Sequence, residues 1–216
     1  RMRTTIRFIE MVVTAVGLVV LARGIADAAD PVQVCQAAKL KAAGKREVCL
    51  ANEKAKELKG KPSDPAKCEV GFNEALAKAD AKAAEDGVSC RYVDNGDGTI
   101  SDLDTLLMWE KKSDDGTLHD QDFTSTWVNA MSEWLSELNG RTDSPSTQAG
   151  FAGYEDWRLA THVELQTILL GPFPCFPCVD PIFNTGCAAS CTVLTCSCTA
   201  AADYWSSTTA ANPVFA

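Results

Sequence analysis

Ten cysteines, two histidines and 29 carboxylates are the side chains in this 216-residue sequence that could carry chemistry. Cys175-Phe176-Pro177-Cys178 has the spacing of a dithiol redox pair or of half a zinc site. A redox pair works at the start of a helix that follows a strand, where the dipole lowers a thiol pKa. Here prolines surround the pair. Cys187, Cys191, Cys196 and Cys198 extend it to a six-cysteine cluster with no histidine beside it. Bridges are the expectation and zinc the second reading. Spacing does not select a connectivity for these six.

The segment Val93 to Asp104 invites a calcium reading. Asn95, Asp97, Gly98, Ile100 and Asp104 fall at positions 3, 5, 6, 8 and 12 of an EF-hand loop. Position 1 is Val93, which has no side-chain oxygen, and position 12 is Asp instead of a bidentate Glu. A β-hairpin with its turn at Asn95-Gly96 fits better. Calcium is the lesser reading, with Asp94, Asp97, Asp102 and Asp104 as its candidates. A looser set is Asp114, Asp115, Asp120 and Asp122. His119 and His162 stand in no nucleophile motif and read as solvated or packed. No catalytic residue, phosphate-cradling glycine loop or resident cofactor is expected.

The elements that position these residues follow from composition. Arg1, Arg3 and Arg7 precede a short apolar run, Met11 to Ala22, and Ala26-Asp27-Ala28 has the A-x-A form of a cleavage site. Residues 1–28 read as a secretory signal peptide. The run is too short for a comfortable membrane span. An exported chain with an even cysteine count is expected to pair them all, in a periplasmic or extracellular setting. Residues 29–90 hold 11 basic and 10 acidic side chains, whereas 91–216 hold 5 and 17. So acidic a second half repels nucleic acid and anionic polysaccharide.

Residues 29–90 read as a helical hairpin. Val48, Ala51, Ala55 and Leu58 recur at helical spacing, and Gly60 to Ser63 breaks the pattern. Asp64 and Pro65 start a second helix as N-cap and N1, with Phe72, Ala75, Ala79 and Ala83 on one face. Folding at the break brings Cys35 to Cys90 and Cys49 to Cys68, with a bend at Gly44 to adjust the stagger. From Arg91 the pattern changes. Tyr92 to Ser101 reads as a hairpin and Leu106 to Trp109 as a buried strand. Ser125-Thr126 caps a helix whose Trp127, Met131, Trp134, Leu135 and Leu138 share a face. Glu155 to Leu159 reads as a buried Trp-Arg-Leu turn. Thr161 and Glu164 then have capping-box spacing, and Leu165, Ile168 and Leu169 form that helix's apolar face.

Five stretches in order carry a resemblance: Asn95-Gly96-Asp97-Gly98-Thr99, Leu107-Met108-Trp109-Glu110-Lys111, Asp156-Trp157-Arg158-Leu159, Glu164-Leu165 and Tyr204-Trp205-Ser206-Ser207-Thr208. Over residues 91–216 the chain resembles the Lcl C-terminal domain family, found in secreted bacterial proteins. The resemblance implies an α+β, C-type-lectin-like fold after the disulfide-braced helical hairpin. It implies a core motif of Trp109, Trp157, Arg158, Leu159, Tyr204, Trp205, Ser206 and Ser207. It also implies a non-enzymatic adhesion-type role toward a surface glycan or protein, with self-association. The other readings are an enzyme or metal-dependent sugar-active protein on the same fold, and a structural envelope protein.

The sequence departs from the family in three places. Leu106 stands where a Gly usually precedes Leu-Met-Trp, and Ala160 where a Pro usually follows Trp-Arg-Leu. The chain also stops at Ala216, before the family's last strands, so an incomplete module is expected. The name-giving member binds glycosaminoglycans, and that property is not expected here. Residues 91–216 offer only Arg91, Lys111, Lys112, Arg141 and Arg158 as cations, with Arg158 expected behind Trp157. A neutral glycan, or one bridged by a divalent cation, fits the charge.

Overall fold

In a computed structural model, residues 30–140, 150–171 and 177–208 are described. The signal peptide reading, Cys175 and the tail from 209 lie outside them. Two long helices come first: α1 (Pro31–Leu58) and α2 (Ala66–Glu85). Asp30 caps α1 by accepting from the Val32 N–H, with Pro31 at the first position, a site where its missing donor costs nothing. α1 runs through Gly44 without interruption, so the expected bend is not needed. α2 begins at Ala66, and Pro65 before it already has helical φ and ψ. The Asp64 N–H goes instead to Glu53 Oε2.

The bridges Cys35–Cys90 and Cys49–Cys68 form as the helix phases require. In the chain-entropy account the inner one removes about 3 kcal/mol of unfolded-state freedom, useful where two thin helices bury little. The seam between them differs from the expected one. α2 contributes Phe72, Ala79 and Ala83 as anticipated, plus Leu76. α1 contributes Cys35, Lys39, Ala42 and Glu53, while Val48 and Leu58 face solvent at 63% and 79% exposure. The apolar stripe of α1 was therefore the outer one. Its inner stripe is polar because bridges and ion pairs close it: Glu53 takes Lys56 at 2.7 Å and Lys67 at 2.6 Å. These cations, with the Asp64 N–H, hold the Glu53 carboxyl down to about 2.

After Cys90 come β1 (Tyr92–Asp94), β2 (Thr99–Asp102) and β3 (Leu107–Glu110), an antiparallel meander in the order β1-β2-β3. Ile100 pairs with Trp109 and is fully buried. It packs with Val179 and Phe183, flanked by Tyr92, Trp109, Ile168 and Ile182. Burying each such side chain is worth roughly 1.5–3 kcal/mol. The turn needs Gly98 twice over. Its φ is +95°, and a Cβ there would lie 2.8 Å from the Phe151 ring. β3 is half-buried, and Leu106 before it takes a left-handed φ of 59°.

A helix follows in three parts: α3 (Trp127–Asn129), a π-helical stretch (Ala130–Trp134) and α4 (Leu135–Leu138). Thr126 caps it through the Asn129 N–H. The wide middle turn shifts its phase, so Ala130 and Leu138 are buried while Trp127 and Met131 are partly exposed. The expected single apolar face is thus split. α5 (His162–Thr167) begins at the capping box, with both reciprocal bonds present. A two-stranded pair, β4 (Asn184–Thr185) and β5 (Ser197–Cys198), closes the described part. No helix among the described residues is long and apolar enough to cross a membrane.

Candidate functional site

The Tyr-Trp-Ser-Ser-Thr segment lies along the Trp-Arg-Leu segment and against the start of α3. The Ser207 N–H donates to the Ala160 oxygen at 2.9 Å, and the His162 N–H to Thr208 Oγ1 at 3.0 Å. Two indoles then bond reciprocally across the joint. Trp127 Nε1 donates to the Ser206 oxygen at 3.1 Å, and Trp205 Nε1 to the Ser125 oxygen at 2.7 Å. Between them lies an open groove of about 510 Å³ lined by Thr124, Ser125, Thr126, Trp127 and Trp205. Its rings are exposed, Trp205 by 52% and Trp127 by 37%, with Tyr204, Phe123 and Val128 exposed nearby. The indole N–H groups are engaged with backbone, so the groove presents aromatic faces and hydroxyl groups.

The Trp157 side of the motif is held by an asparagine. Asn139 Nδ2 donates to the oxygens of Leu135 and Trp157, and its Oδ1 accepts from the Trp157 N–H at 2.7 Å. Trp157 Nε1 reaches the Phe151 oxygen, and Phe151 stacks between Trp157 and His119. Leu159 is buried. Arg158 is not: its side chain is 55% exposed and forms a fork with Glu164 at 2.8 and 2.6 Å. The expectation that it hides behind Trp157 fails because Glu164 in the capping box draws it outward. That guanidinium, with the Thr161 N–H, holds the Glu164 carboxyl down to about 2. Trp109 Nε1 is buried with no partner among the described residues.

The calcium candidates are each engaged with protein donors, and Asp102 and Asp104 share Arg91. Asp94 meets Lys111 at 2.8 Å and the Gly96 N–H. Asp97 accepts from both the N–H and the hydroxyl of Thr99. Asp102, fully buried, takes a fork from Arg91 at 3.0 and 2.6 Å. Burial works to raise the Asp102 pKa, but the Arg91 bonds and the Asp104 N–H leave it below the usual range. Asp104 pairs with Lys39. Of the looser set, Asp114, Asp120 and Asp122 bring carboxylate oxygens within 4.8 Å of one another. Asp115 accepts from Ser113 and Thr117, and Asp120 from the Gly116 and Asp122 N–H groups. His119 Nδ1 lies 2.7 Å from Glu110, and His162 is exposed beside Gln166.

The cysteines resolve into bridges. Cys187 joins Cys198 and Cys191 joins Cys196. Cys178 is also disulfide-bonded, and no described cysteine is free. A second concavity, about 660 Å³, lies at the hairpin turn and gathers Lys45, Lys56, Lys59, Lys61 and Lys67 around Glu53. The near-balanced charge of residues 29–90 does not single out these lysines. Their convergence depends on the break at Gly60 to Ser63 bringing α1's end onto α2's start.

A helical hairpin closed by two nested bridges, leading into a mixed helix and sheet module with its own bridges, defines the class of protein. The family model of the Lcl C-terminal domain matches residues 98–215, more than half of the chain, which therefore belongs to that family. No curated protein and no solved structure matches the chain.

Proposed function

We propose that this is an exported, non-enzymatic binding module of the adhesion type, with a C-type-lectin-like second half, and that the Trp127–Trp205 groove takes a neutral surface glycan. The observation that carries this reading is the pair of exposed indole faces flanking one open groove. Exposed apolar surface gathered into one patch, rather than scattered singly, marks contact surface. Trp is also the side chain that most often dominates a contact. The net acidity of 91–216 favours an uncharged ligand over a sulfated one. Export is supported by the basic and apolar leader and by the bridges.

The test is a titration of the full chain with neutral oligosaccharides, read by tryptophan fluorescence and calorimetry. Binding should be lost, by tenfold or more, in Trp205→Ala. It should persist in Tyr154→Ala, an exposed aromatic outside the groove. Absence of binding across a broad neutral panel, or binding indifferent to Trp205→Ala, overturns the reading.

A further inference from the structure

The outward face of α1 carries a pattern that the fold of one chain leaves unused. Val34, Lys41, Val48 and Ala55 recur at every seventh residue, and Ala37, Gly44, Ala51 and Leu58 follow each by three. Alternating steps of three and four residues make the seam of a two-helix coil. All eight positions are exposed, Val34, Val48 and Leu58 by 49%, 63% and 79%. Gly44 points the same way. A glycine inside a helix destabilises it relative to alanine. This one has no left-handed φ, and a Cβ built on it would meet nothing within 4 Å. Nothing in its own chain therefore calls for glycine there. On a seam, a missing side chain lets a second backbone come close.

We propose that α1 is a self-docking face, pairing antiparallel with α1 of a second copy of this chain. The flanking charges select both the occupant and its direction. In a parallel pair Lys41 would meet its own copy across the seam, and Lys54 would face Lys59. An antiparallel pair has its two-fold axis at the level of Cys49 and Leu50. Val48 then packs on Ala51 of the second copy, Gly44 on its Ala55, and the Lys41 stem on its Leu58. The same register brings Glu47 level with Lys54 of the second copy, and the two-fold repeats that pair.

Glu47 and Lys54 are free to serve. Their side chains are 65% and 64% exposed, and their partners within one chain, Arg46 and Glu57, lie on the same helix. α1 has 28 residues, about 42 Å of length, and the seam runs from its second turn to its end. The face lies outside the residues that the Lcl C-terminal domain model matches and uses neither tryptophan of the groove. For a glycan-binding module, pairing puts two Trp127–Trp205 grooves on one particle, so a repeated surface ligand is held at both.

The test is sedimentation velocity of the full chain across micromolar concentrations, with circular dichroism on every variant. The chain should form a concentration-dependent dimer. Gly44→Leu should abolish it with helical content undiminished, since leucine favours helix more than glycine does. Glu47→Lys and Lys54→Glu should each weaken the dimer about tenfold, because each sets two like-charged pairs across the seam. Glu47→Lys/Lys54→Glu should return the affinity of the wild type. A chain that stays monomeric overturns the proposal. So does a dimer that survives Gly44→Leu, or a double variant that associates no more tightly than the single ones.

Discussion

Lys39 Nζ lies 2.5 Å from Asp104 Oδ1 with no part of the lysine side chain exposed, so an α1 residue is locked to the turn after β2. Asp80 of α2 completes the trio at 2.6 Å. Gln36 Nε2 adds a bond to the Tyr92 oxygen, and together they dock the hairpin on the sheet. Removing one partner of a buried pair costs about 3–5 kcal/mol. Both carboxylates here reach water, which lessens the penalty. Lys39→Met should destabilise the chain by about 2 kcal/mol in urea unfolding and speed proteolysis around residues 86–91. An unchanged midpoint with unchanged protection would mean that the trio does not join the two parts.

Leu106 holds a φ of 59° and is 41% exposed. A left-handed conformation costs a non-glycine residue about 1–2 kcal/mol, and this side chain recovers little by packing. The family's usual glycine at this place answers the same geometry. Leu106→Gly should stabilise the chain by about 1 kcal/mol after glycine's greater unfolded-state entropy is counted. That is a rise of roughly 2–4 °C in Tm. A fall in Tm would assign Leu106 a packing role that outweighs its backbone strain.

The Glu164 carboxyl is depressed to about 2 by the Arg158 fork, from about 4.3 when unfolded. Its stabilisation is therefore complete above pH 4.3 and is lost as pH falls through 2. Arg158 is more than half exposed, so water screens the pair and about 1 kcal/mol is expected. Glu164→Gln should lower Tm at pH 7, and the difference from wild type should vanish near pH 2. A difference that stays constant over that range would show that charge is not what the pair contributes.

On a heparin column with chelator present, the chain should elute well before physiological salt. Of the lysines at the hairpin turn, Lys56 and Lys67 already pair with Glu53. The second half is strongly acidic, and exposed charges more than about 8 Å apart are screened at that salt. Retention beyond physiological salt that is abolished by Lys59→Glu/Lys61→Glu would place a polyanion site at the turn. That outcome would sink the neutral-glycan reading.

The cysteine pairing of the hairpin was legible because helix phase and a single Gly-Pro break leave few ways to meet. The β1–β2 hairpin and the Thr161 capping box were legible because a few adjacent residues determine each. The inner face of α1 was not. Its apolar residues face outward, its buried Lys39 is explained only by partners on other elements, and its buried Glu53 combines Lys56 of the same helix with Lys67 and the Asp64 N–H beyond it. The phase shift at Ala130 to Trp134 also has no marker in the periodicity. Nothing local to Asn139 announced that its amide clamps Trp157 from eighteen residues away. The aromatic groove joins segments some eighty residues apart, a distance at which spacing carries no signal.

The four bridges whose two cysteines are both described span separations of 55, 19, 11 and 5 residues, and none of them links the hairpin to the following module. Shorter loops close at lower entropic cost, so within the hairpin Cys49–Cys68 has the advantage, and its closure draws Cys35 toward Cys90. A chain delivered from its N-terminus has all four hairpin cysteines in hand once residue 90 emerges. Oxidation of the first part can then finish before the second part arrives, and no late cysteine has to compete for an early partner.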